Sequence, residues 1–194
     1  MTARDCLLNA WVLLLGAVGT AAAAQGLDPT NASDFGRPDI LLTAASIRQA
    51  GGADNVASVL QELDITGTDP LLNPAGHGNI GELSQTGSGN RAFLVQHGDL
   101  NRARIVQTGT DNSVDAQQSG VANLLDIAQT GISNSLVASQ VGNGNSILLT
   151  QAGGNLAALS ELGNNNTINV QQIVGGPNIS INLVGSGRTV TIKQ

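Results

Sequence analysis

Tyrosine is absent from this 194-residue chain, and Trp11, Phe35 and Phe93 are its only aromatic residues. A core built on rings is excluded, so aliphatic side chains and amides must fill the interior. Cysteine occurs once, at Cys6, which leaves no pair for a disulfide or a thiolate metal site. The two histidines, His77 and His97, each precede a glycine and have no dense carboxylate cluster beside them, so no metal centre or catalytic constellation is expected. Gly87-x-Gly89 and Gly142-x-Gly144 lack the third glycine and the strand-to-helix setting of a dinucleotide loop. Charged residues are 11% of the chain and the formal net charge is −6 at pH 7, which gives no general attraction for nucleic acid. No enzyme activity and no cofactor follow from these residues.

The first 24 residues are expected to be a secretory signal peptide. Arg4 lies in a short polar start, residues 7–18 are apolar, and small residues 21–24 precede Gln25. The apolar run is short and no basic stop-transfer cluster follows, so no membrane span is expected in the mature chain. Cys6 lies inside this signal, which would leave the exported chain without cysteine. Residues 25–42 carry Gly26, Pro29, Gly36 and Pro38 without a clear period, and are expected to form a flexible leader, either an export signal or a plain tail.

What the chain has in abundance is order of one kind. Glutamines recur every eleven residues at Gln85, Gln96, Gln107, Gln118, Gln129, Gln140 and Gln151. Glycines follow two places later at Gly87, Gly98, Gly109, Gly120, Gly131, Gly142 and Gly153, and asparagines at Asn79, Asn90, Asn101, Asn112, Asn123, Asn134 and Asn145 complete the frame. One residue is missing near Asn155. The frame then resumes through Gly163, Asn166 and Gln172, puts Pro177 and Arg188 in the asparagine place, and finishes on Gln194. A fixed period over eleven such units, spanning 76–194, is the signature of a repeat architecture. Residues 43–75 hold two degenerate units, in which Gln49 and Gln61 keep the frame, and a break containing Pro70 and Pro74. Two prolines so close do not suit a central paired strand, so the break is expected to be an inserted loop or a linker.

Four places after each asparagine stands an apolar residue in every unit, two places after it stands Gly, Ala or a larger aliphatic, and six places after it stands Gln, replaced only at Glu161 and Leu183. A spacing of two puts all three on one face of a strand. An eleven-residue period also describes a right-handed helical coiled coil, but Gly and Asn in every unit are poor helix formers and suit turns with positive φ. The expected fold is therefore all-β: a solenoid of 22-residue strand-turn-strand rungs, each of two 11-residue half-units, stacked in amyloid-like cross-β fashion. Each half-unit is predicted to be a strand of about five to seven residues and a tight Gly-x-x-Asn turn. Stacking at about 4.8 Å would set aliphatic on aliphatic, Asn on Asn and Gln on Gln, with the amides hydrogen-bonded along the stack. The outward positions, such as Phe93, Arg104, Asp115, Asp126, Val137 and Leu148, are mixed. Their charges crowd into the first half of the array, as gatekeepers against uncontrolled stacking would, or as an ordinary solvated face would.

The run Gln85-Thr86-Gly87-Ser88-Gly89-Asn90-Arg91-Ala92-Phe93-Leu94-Val95-Gln96 and its successors resemble the curlin repeat, Gln-x-Gly-x-x-Asn-x-Ala-x-x-x-Gln. The resemblance covers 76–194 strongly and 45–61 weakly. It implies an exported subunit of curli-type functional amyloid, the surface fibre of bacterial adhesion and biofilm matrix. Its partners would be further copies of itself, other curlin subunits, and a curli-type outer-membrane secretion pore that reads the leader. It implies that the amide ladders drive assembly: Gln85, Asn90, Gln96, Asn101, Gln107, Asn112, Gln118, Asn123, Gln129, Asn134, Gln140, Asn145, Gln151, Asn166, Gln172 and Gln194. Consecutive half-units with Arg188 and Lys193 near the end resemble the minor, nucleating subunit more than the major one. The rival reading is a secreted monomeric solenoid that binds a polysaccharide or another surface through one face.

Overall fold

A computed structural model describes residues 44–50, 54–62 and 78–194. The expected signal peptide, the leader and the break with Pro70 and Pro74 lie outside the described residues. Among the described residues are thirteen strands: β1 (Ala44–Ala50), β2 (Val56–Glu62), β3 (Ile80–Ser88), β4 (Arg91–Asp99), β5 (Arg102–Thr110), β6 (Ser113–Val121), β7 (Leu124–Ile132), β8 (Ser135–Asn143), β9 (Ser146–Ala152), β10 (Leu156–Leu162), β11 (Thr167–Gln172), β12 (Ile179–Val184) and β13 (Thr189–Lys193). None of these residues forms a helix long and apolar enough to cross a membrane.

Successive strands alternate between two parallel sheets. One runs β1-β3-β5-β7-β9-β11-β13 and the other β2-β4-β6-β8-β10-β12. Each strand pairs in parallel with the strand two units on, so that Leu83 meets Ile105, Ile105 meets Ile127 and Ile127 meets Leu149. This is the expected β-solenoid, and its register is the 22-residue period of the sequence. Inward residues of both sheets meet in one narrow core: Ala103, Ile105, Leu125, Ile127 and Ile147 from one side, Leu94, Val114, Ala116, Leu136 and Leu159 from the other. Small faces large across it. A Cβ on Gly81 would touch Leu94 and Val59 of the opposite sheet at 3.1 and 3.0 Å, so a side chain there would press on its neighbours in a close-packed core.

The two degenerate half-units join the same stack. β1 pairs with β3 and β2 with β4, with Gln49 opposite Gln85 and Gln61 opposite Gln96. Their inward residues close the edge of the stack less completely, since Ile47 is 39% exposed and Leu83 of the next rung 2%.

The strands of the central array are longer than the predicted five to seven residues. β3 to β8 run for nine, because the Gln-x-Gly segment stays in the ladder: Gly87 pairs with Gly109, and Gly98 with Gly120. The turn itself shrinks to the two residues ending on Asn. The residue before each Asn takes a left-handed conformation, supplied by Gly89 and Gly144 but also by Leu100, Asp111, Ala122, Ser133 and Asn165, with φ between 56° and 58° at those five. Hydrogen bonds along the stack hold them there, as from Ala122 N–H to Asp99 O at 3.0 Å.

Candidate assembly surface: the amide ladders

Among the described residues the buried polar side chains are almost all amides, and most of them are hydrogen-bonded in regular files. In one sheet Gln49, Gln85, Gln107, Gln129, Gln151 and Gln172 form a file in which each Nε2 donates to the Oε1 of the next, at 2.7–2.9 Å. In the other sheet Gln61, Gln96, Gln118 and Gln140 do the same. The second amide proton goes to a backbone carbonyl at the start of a strand in the facing sheet: Gln107 to Arg91 O at 2.9 Å, Gln129 to Ser113 O at 3.0 Å. Both protons are therefore used in these two, and from Gln85 to Gln172 the glutamine side chains are fully buried. A buried amide satisfied in this way costs little, whereas one left without partners costs about 1–3 kcal/mol.

Asparagine forms two more files, one along each row of turns. Asn112 donates from its backbone N–H and from Nδ2 to Asn90 Oδ1, at 3.2 and 3.0 Å, and its own Oδ1 receives the same pair from Asn134. The opposite row runs through Asn79, Asn101, Asn123, Asn145 and Asn166. Asparagine donates toward the N-terminal rungs and glutamine toward the C-terminal rungs, so the two kinds of ladder run with opposed polarity. A further Nδ2 bond reaches a glycine carbonyl on the next strand, as from Asn90 to Gly109 O at 2.9 Å.

That last bond explains the glycines. At Gly109 φ is 120°, which turns the carbonyl inward, and an added Cβ would collide with the carbonyl oxygen of Gly131 on the next strand. Gly87, Gly98, Gly120, Gly142 and Gly163 stand against the next glycine of their files in the same way. Gly131 and Gly153 do not meet this pattern. The missing residue shifts Gly153, where an added Cβ would instead meet the Val174 side chain at 3.3 Å.

The residues predicted from the sequence thus come together, apart from Gln194. Gln172 Nε2 turns to Pro177 O at 2.9 Å instead of continuing the file. Gln194 is tied by its backbone N–H to Gln171 O at 2.9 Å, while its Oε1 is buried without a partner. The bend at residues 173–178 brings the Pro177 carbonyl to the donor first. Positions outside the predicted ladder belong to it: Gln49, Asn55, Gln61, Asn79 and Asn155, the last through its N–H to Asn134 Oδ1 at 3.2 Å. Asn155 was findable as the asparagine that closes a unit one residue short.

Glu161 takes a glutamine place in the ladder of the second sheet, receiving a 2.9 Å bond from Gln140 on Oε2. Burial pushes its carboxyl up to about 7, opposed only in part by the Gln140 amide and the Ile168 backbone N–H.

The outward charges do not oppose one another along the stack. Glu82, Arg104 and Asp126 are successive neighbours in one file, and Arg104 Nη1 lies 3.3 Å from Asp126 Oδ1. Among the described residues no group of three or more His, Cys, Asp or Glu could hold a metal ion.

Fold and site together define a parallel β-solenoid scaffold of stacked half-turn repeats, held by internal amide files. Residues 76–109, 90–120 and 120–153 match the family model of the curlin associated repeat, so this stretch carries curlin-type repeats. No curated protein and no solved structure matches it.

Proposed function

We propose that this chain is a structural subunit of an extracellular curli-type amyloid fibre, assembling by strand addition at open rung edges and serving adhesion and the biofilm matrix. The observation that carries the reading is the set of columns that keep register from β1 and β2 through β9, onto whose N-terminal edge a further rung of the same frame would add in register. Among the described residues β1, β2, β12 and β13 each pair on one side only, and such edges take up extended strands through main-chain hydrogen bonds. The family is one of structural amyloid subunits and not of enzymes, which accords with the composition of the interior. The assembly partners are further copies of this chain and other curlin subunits. Residues 25–42 are the segment for a curli-type outer-membrane pore to recognise. Pro177 and Arg188 in asparagine places, with Lys193, favour a minor, nucleating subunit.

The test is to dilute residues 25–194 from denaturant and follow thioflavin fluorescence, then record fibre diffraction. A lag followed by fibres with a reflection near about 4.8 Å is expected. Seeds of this protein should also shorten the lag of a major curlin subunit. A stable folded monomer that never elongates would overturn the fibre reading in favour of a surface-binding solenoid.

A further inference from the structure

The glutamine file of the second sheet stops at a carboxyl group. Gln140 uses its two amide protons on Leu124 O at 3.0 Å and on Glu161 Oε2 at 2.9 Å. Glu161 is 0% exposed, and its Oε1, in the place of a glutamine Nε2, has no hydrogen-bond partner. The next residue of the file, on β12, is Leu183, which offers no acceptor. The ladder therefore asks a single donation of this position, toward a backbone carbonyl. One turn on, Ser146 O holds the place that Leu124 O holds for Gln140. A carboxylic acid, with one O–H, satisfies this demand. A carboxylate does not, because its second oxygen is buried without a hydrogen bond of good geometry and the Ile168 N–H offsets only part of the cost of burying the charge.

We propose that Glu161 is a proton-operated latch. With the proton on Oε1 it closes the end of the amide ladder and holds β12 and β13 on β10 and β11; when the proton leaves, those last strands loosen to hydrate the charge.

No other titratable group competes for the role. β8 and β12 beside Glu161, and β9 and β11 across the core, carry no Asp, Glu, His, Lys or Arg. Lys193 of β13 is exposed and pairs in register with Gln171, and the Arg188 guanidinium lies over Gly185 in the turn. Along the sheet beyond β8 the first charged residue is Asp115 of β6, which is exposed. The direction follows from linkage: the unfolded carboxyl loses its proton near 4.5 and the folded one near 7. The stabilisation is complete below 4.5, declines by up to about tenfold in the folding equilibrium per pH unit above that, and is gone once the pH has passed 7.

The inference needs the fold alone and stands whether or not the chain builds fibres. Amide hydrogen exchange on the folded full chain, monomeric or fibrous, tests it after correction for the intrinsic pH dependence of exchange. Between pH 5 and pH 8, protection of β12 and β13 should drop about 10²-fold relative to β5–β8 in the unaltered protein. In Glu161→Gln, whose amide can donate where the acid did, the drop should vanish. Asp126→Asn, which removes an exposed carboxylate, should leave the drop in place. A drop that persists in Glu161→Gln, that disappears in Asp126→Asn, or that is absent from the unaltered protein would overturn the proposal.

Discussion

Gln107 and Gln129 lie 22 residues apart in the chain, and the amide of the first donates to the carbonyl of the second at 2.8 Å in a fully buried file. Neither is an isolated polar residue in an apolar core. Gln85 donates to Gln107 from the other side at 2.7 Å, so from Gln85 to Gln172 every member is both donor and acceptor, and these interior polar groups act as one connected network.

Replacing one member should therefore cost more than one hydrogen bond. In Gln107→Leu the Gln85 amide loses its acceptor, and Gln129 Oε1 and Arg91 O lose their donor. Each buried orphan costs about 1–3 kcal/mol. A loss of stability of about 2 kcal/mol or more is expected from urea unfolding, and a loss under 0.5 kcal/mol, the size of an ordinary surface change, would contradict the ladder as a source of stability.

Two substitutions at positive-φ positions should act in opposite directions. Gly109→Ala adds a Cβ against the Gly131 carbonyl at a φ of 120° and should destabilise by about 2 kcal/mol or more. Ala122→Gly relieves a left-handed alanine at φ 58° and should stabilise by up to about 1 kcal/mol. Thermal melts of the two variants read both signs.

In the aliphatic files the sensitive position is Ile105. It is 0% exposed and stacked between Leu83 and Ile127, where paired strands on both sides hinder collapse of a cavity. Ile105→Ala should cost about 2–5 kcal/mol, measured as a shift of the unfolding midpoint at unchanged slope.

The exposed Arg104–Asp126 pair should matter far less. Its side chains are 53% and 41% exposed, and pairs of this kind contribute about 0–1 kcal/mol. Arg104→Ala is expected to shift stability by no more than that, with the difference shrinking as salt is raised.

Under the fibre reading, removing residues 188–194 deletes β13 and exposes the edge of β11. Elongation or seeding followed by thioflavin fluorescence should slow, and unchanged kinetics would exclude this edge as a site of addition.

The eleven-residue frame alone determined the strands, their inward faces, the 22-residue register and most ladder positions, because side-chain alternation along a strand is a local property and the period repeats it with a single residue missing near Asn155. Sequence also marked Glu161 and Leu183 as departures from glutamine. What those departures mean was settled only in space. Whether a carboxyl oxygen lacks a donor depends on which residue lies above it one turn later, and Leu183 is distant along the chain. The same holds for the docking of β1 and β2 on β3 and β4, for Gln194 losing the Gln172 amide to Pro177 O, and for the opposed polarity of the two ladders. A hydrogen bond has a direction and a single acceptor at each lone pair, and only the tertiary structure sets which neighbour reaches it.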